Sequence, residues 1–215
     1  MIHVVISIDP TTAFLYGIVN NLKEKKVPLN VIEIHPSDKS YEECKEKIST
    51  VESGSVILFL GHGQENQLYG GESKEFVRKP IFKLNEMGVF KSQYLILLAC
   101  DSADLLKSSF RQAKMKKSIG FGSLPTELKE IENDKMFSNS GVTQETLEAY
   151  KNVIVELVSE VIIYGHKKEC LKDFIKMKEF LTLLINKKIN NAILQDKNEN
   201  LGDLIYQMKY QLVQY

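Results

Sequence analysis

Two side chains stand where short apolar runs stop. Val56-Ile57-Leu58-Phe59-Leu60 ends in Gly61-His62-Gly63, and Tyr94-Leu95-Ile96-Leu97-Leu98 ends in Ala99-Cys100-Asp101-Ser102. A thiol and an imidazole brought together form a nucleophile and its base, the pairing used for covalent attack on a carbonyl carbon. Free cysteine is mostly protonated at neutral pH, so such a thiol needs help to ionise. Here the help would come from His62 and from a helix N-terminus following Cys100. Gly63 carries no side chain to block a substrate, so the backbone N–H groups of Gly63 and Cys100 could serve as oxyanion donors.

For these residues to meet, their strands must be neighbours. Continuous apolar runs of this length between turn residues read as fully buried strands of a parallel sheet. In open α/β sheets, chemistry gathers outside the carboxyl ends of the strands. The flanking sequence agrees. His3–Asp9 reads as a first strand, and Thr11 or Thr12 can cap a helix carrying Phe14, Leu15, Ile18, Val19 and Leu22. Asn30–His35 reads as a second strand. Ser40 with Glu43 forms a capping-box pattern for a helix to Thr50, and Ser55–Leu60 is the third strand.

Residues 64–78 (Gln64 to Arg78) read as a polar rim loop with a short hairpin, followed by a helix, Ile81–Met87, with Pro80 near its start. Tyr94–Ala99 is the next strand, Ser102–Lys114 a helix and Lys117–Phe121 a fifth strand. Alternating strands and helices imply a parallel sheet with right-handed crossovers. Ser123–Gly141 turns polar and reads as a long loop open to movement or cleavage. Thr143 opens a helix with the stripe Val153, Ile154, Leu157, Val158 and Ile162, and Leu171–Ile185 is a second amphipathic helix. The alternation of Leu204, Tyr206, Met208, Tyr210 and Leu212 suggests a C-terminal edge strand, with a terminal helix as the alternative.

The order and character of these elements resemble the caspase-like cysteine peptidases. The blocks ending in His-Gly and Ala-Cys carry the resemblance, and Leu98-Ala99-Cys100-Asp101-Ser102 is most similar to the CHAT-type branch related to separase. The match covers residues 1 to about 125, and the later helices are compatible with it. The resemblance implies a single domain over residues 1–215: an α/β three-layer sandwich with a mostly parallel sheet, helices on both faces and a C-terminal edge strand. It also implies a cysteine endopeptidase with a His62/Cys100 dyad and an acyl-enzyme intermediate. Such a peptidase would cut a protein substrate in a bacterial signalling or antiviral defence pathway, activated by a protein partner or by loop cleavage. The caspase Gln-Ala-Cys-Arg-Gly signature is missing, so the resemblance does not carry aspartate specificity. Relatives with basic specificity use acidic residues in their first pocket, which makes Asp9 and Asp101 substrate-pocket candidates. Equally, Asp9 can turn the chain before Pro10, and Asp101 can cap the next helix.

Other readings are narrower. The chain has 28 basic and 28 acidic residues, so its net charge points to neither nucleic acid nor a membrane surface. No run approaches the ~20 apolar residues of a spanning helix, and no signal peptide is visible. Three scattered cysteines, Cys44, Cys100 and Cys170, show neither metal spacing nor a disulfide framework, which suits the cytoplasm. Cys44 and Cys170 read as non-catalytic, and His3, His35 and His166 as structural. No glycine-rich phosphate motif is present, and no cofactor is expected. The rival from another class is a non-catalytic module resembling a response regulator or flavodoxin, or an inactive peptidase homologue working through protein partners. In the non-catalytic module, Cys100 would be an ordinary thiol and His62 could be changed without loss.

Overall fold

The computed structural model describes residues 1–133 and 141–215. Its centre is a sheet of six strands: β1 (Ile2–Ser7), β2 (Leu29–Ile34), β3 (Val56–Leu60), β7 (Tyr94–Leu98), β8 (Lys117–Gly120) and β9 (Val213–Gln214). They lie in the order β2-β1-β3-β7-β8-β9. The first five run parallel, and β9 is antiparallel to β8. A smaller antiparallel sheet joins β4 (Gly63–Gln64), β5 (Gln67–Tyr69) and β6 (Pro80–Lys83).

Side chains alternate across a strand, so a central strand buried on both faces needs apolar residues throughout. Val4, Ile6, Leu58, Leu60, Ile96 and Leu98 pack toward one core. That core is covered by α1 (Tyr16–Glu24), α5 (Gln144–Lys167), α6 (Phe174–Asn190) and α7 (Glu199–Tyr210). Val5, Ile57, Phe59, Leu95 and Leu97 face a second core under α2 (Asp38–Ser49), the 3-10 segment Leu84–Phe90 and α3 (Ser102–Ala113). The result is a three-layer α/β sandwich. Among the described residues, no helix is long and apolar enough to cross a membrane.

Several local expectations need correction. Ser37, not Ser40, caps α2, and its side chain accepts the backbone N–H of Ser40. The expected helix Ile81–Met87 begins instead as strand β6, because Ile81 and Phe82 are both buried and Pro80, Phe82 and Lys83 pair with β5. The polar loop Ser123–Gly141 contains a helix, α4 (Leu128–Asn133), anchored by buried Ile131; residues 134–140 of that loop lie outside the described ones. The alternation over 204–212 belongs mostly to helix α7. Leu201, Leu204, Ile205 and Met208 recur at helical spacing and are buried, whereas Tyr206 and Tyr210 are exposed and stack on each other. Only Val213–Gln214 forms the edge strand.

Candidate active site

Strand register decides where His62 and Cys100 fall. Leu60 of β3 lies opposite Leu98 of β7, and both face the core under α5. Two residues further on, with the period of two, His62 and Cys100 emerge side by side from the same face. Both line one small cavity of about 20 Å³, together with Thr12, Gly61, Leu124 and Thr126.

The glycines around His62 act by close packing, not by a turn that exposes it. Neither has a positive φ, and His62 is only 6% exposed. A Cβ on Gly61 would meet the Ser7 hydroxyl at 2.6 Å, and one on Gly63 would meet the Cys100 carbonyl oxygen at 2.6 Å. The backbone at Gly63 therefore lies directly on the backbone of Cys100. Gly61 N–H donates to the Leu98 carbonyl, and Tyr69 N–H to the His62 carbonyl.

On its other side, the imidazole meets the chain leaving β1. Thr11 Oγ1 lies 2.7 Å from His62 Nε2 and 2.6 Å from Asp9 Oδ1. Asp9 Oδ1 also accepts the Thr11 backbone N–H at 2.8 Å, and His62 Nε2 stands 3.6 Å from it. Asp9 is 3% exposed. Burial by itself opposes its ionisation, but the His62 ring and the two Thr11 donors outweigh burial and hold its carboxyl well below the usual carboxylate range. Asp9 thus sits beneath the histidine. Thr11, expected as a helix cap, spends its hydroxyl here instead; Thr12 occupies the cap position of the 3-10 turn Ala13–Leu15 without a side-chain bond, its Oγ1 buried and unpartnered among the described residues.

The thiol is engaged elsewhere. Cys100 Sγ donates to the Leu124 carbonyl at 3.2 Å. Although the residue is half-buried, its thiol is enclosed, and burial pushes it up to about 12, with Glu130 and Asp101 adding in the same direction. Burial, with the Cys100 thiol nearby, likewise raises the phenol of Tyr150 on α5.

Leu124 belongs to a strap, Ser123–Thr126, laid over the thiol and fastened at both ends. Ser123 N–H donates to Gln211 Oε1 at 2.8 Å. Glu130 Oε2 accepts from Thr126 N–H (2.6 Å), Thr126 Oγ1 (3.1 Å) and Glu127 N–H (3.2 Å). Asp101, the other pocket candidate, does not line the cavity. It precedes α3 in a left-handed conformation (φ 53°) and makes no side-chain capping bond. Ser102 next to it is fully buried; its hydroxyl donates to the Leu97 carbonyl and accepts Phe121 N–H, stapling β7 to β8.

The remaining candidates have local partners. His3 contacts Asn30, His35 pairs with Glu33, and Cys44 is buried, its thiol also raised to about 12 by burial. All three cysteines are free thiols. No group of three metal-binding side chains occurs among the described residues. Thr11, Leu124, Thr126, Tyr150 and Glu130 were invisible as site residues in the sequence; only the placement of Thr11 just past the first strand end offered a signal. No protein-family model matches the chain, and no curated protein matches it.

Proposed function

We propose that this chain is a caspase-like cysteine endopeptidase, drawn here in a resting state. One observation carries the reading: His62 and Cys100 leave adjacent parallel strands on the same face and line one cavity. In the working state, Sγ would attack the substrate carbonyl and its proton would pass to His62. The imidazolium would then protonate the leaving amine, and water would release the acyl group, its proton returning through the same ring. Gly63 and Cys100 backbone amides would hold the oxyanion. The strap must shift before this can begin, so activation belongs to a protein partner or to cleavage nearby. Asp9 serves the histidine from below, which weighs against it as a pocket wall for a basic substrate side chain. Three free thiols favour a reducing compartment, and hence the cytoplasm. A role in bacterial signalling or defence follows from the resemblance alone.

The second reading, a non-catalytic module or inactive homologue, is favoured by the buried, carbonyl-bonded thiol. One experiment separates them. The chain, and a Glu130→Ala form with the strap loosened, are incubated with a proteome-derived peptide library and new termini are mapped. Cleavage that disappears in Cys100→Ala and in His62→Ala supports the peptidase. No cleavage by the loosened form, with partner capture unaffected by either substitution, favours the module.

A further inference from the structure

We infer that Thr11 is a positioning residue whose hydroxyl, oriented by Asp9, fixes the proton of His62 on Nε2 and so leaves Nδ1 as the base. This rests on the dyad reading above.

The argument is a count of protons. Thr11 Oγ1 and Asp9 Oδ1 stand 2.6 Å apart, a separation that two oxygens reach only with a proton between them. Asp9 is held ionised, so that proton is the threonine's own. A hydroxyl has one hydrogen to give. With it committed to the carboxylate, Oγ1 can only accept from the ring nitrogen 2.7 Å away. His62 Nε2 must therefore carry a hydrogen. In the neutral ring this leaves the lone pair on Nδ1.

The arrangement is well braced. The Thr11 backbone N–H also donates to Asp9 Oδ1, so one carboxylate oxygen holds the threonine by main chain and side chain together. Asp9 and His62 are 3% and 6% exposed, so water competes weakly for these bonds. A histidine serving catalysis or metal binding is commonly oriented by a group on its second nitrogen. Here a neutral hydroxyl stands between the ring and the carboxylate. The ring feels a directed acceptor at 2.7 Å and the charge only at 3.6 Å.

The test uses the full chain labelled with ¹⁵N-histidine. Long-range ¹H–¹⁵N spectra distinguish the two neutral tautomers, and the His62 signals, among four histidines, are those lost in His62→Gln. Neutral His62 is expected to show its proton on Nε2. Thr11→Val, which keeps the shape and removes the hydroxyl, should give a mixture of tautomers, and Thr11→Ser should restore the single form. In the Glu130→Ala background, Thr11→Val should also slow alkylation of Cys100 about tenfold, with Thr11→Ser recovering the rate. A wild-type proton on Nδ1 overturns the inference without any variant. A tautomer ratio unchanged in Thr11→Val overturns it as well. If the tautomer responds as expected but no peptide is cut, the peptidase reading fails and the positioning of His62 stands. If peptides are cut and the tautomer ignores Thr11, the reverse holds.

Discussion

Loosening the strap should expose the thiol by an amount that can be worked from its fastenings. Glu130 Oε2 receives three hydrogen bonds from the strap's C-terminal end. Hydrogen bonds to a charged group contribute about 1.5–3 kcal/mol each. Glu130 is partly exposed, so water replaces much of that, and a net weakening of about 2 kcal/mol is a reasonable working figure. At 1.36 kcal/mol per decade, the open strap becomes about 30-fold more populated in Glu130→Ala. In the closed form a thiol at about 12 is ionised to about one part in 10⁵ at pH 7, against about one in a hundred at its ordinary 9.0. Alkylation therefore proceeds through the open form, and the Cys100 rate should rise about 30-fold. The assay is iodoacetamide labelling at pH 7 followed by mass spectrometry. Half-buried Cys170 serves as an internal reference and buried Cys44 as a check on folding. An unchanged ratio of Cys100 to Cys170 labelling in a folded Glu130→Ala protein would refute the strap as a lock.

Three further outcomes are expected. Gly63→Ala places a methyl within 2.6 Å of the Cys100 carbonyl oxygen and 2.9 Å of Ala99 Cβ, so urea unfolding should show a loss of about 1–3 kcal/mol. Ser102→Ala leaves the Phe121 N–H without its acceptor in a fully buried place and should cost about 1–3 kcal/mol, measured the same way; a neutral effect would contradict the staple between β7 and β8. Asp9 binds its proton less readily in the native chain than in the unfolded one, whose value is about 3.8. As pH falls through and below that value, the unfolded chain takes up the proton first, and native stability declines. Between pH 5 and pH 3 the wild type should therefore lose more stability than Asp9→Asn; an equal loss in both would show that Asp9 is not held ionised.

The strand ends were legible because a central parallel strand needs apolar residues on both faces, and such runs have no other simple reading. Register then carried His62 and Cys100 to one place without help from any loop. The periodicity over 204–212 misled because two exposed tyrosines, Tyr206 and Tyr210, alternate with buried Leu204, Met208 and Leu212. Beside a hydrophobic stripe, aromatic residues that face outward imitate a strand's alternation. The segment Pro80–Lys83 misled for a different reason: its strand state depends on pairing with a hairpin distant in sequence. The strap was beyond reach in principle. Its fastenings join the side chains of Cys100, Glu130 and Gln211 to backbone groups of the strap, and those backbone groups leave no mark on residue type.

The shortness of the link around His62 has a mechanical consequence. Only Gly61 and His62 separate β3 from β4, so the imidazole is tethered at both ends to paired backbone. It has almost no slack of its own and can travel only if a sheet travels with it. The cover on the thiol is tied down by a few side-chain bonds, each of which can be undone singly. In any change of state the histidine is therefore the fixed post and the cover on the cysteine the hinged part. On the peptidase reading proposed above, an activating partner would need to grip no strand at all, only the far side of that cover.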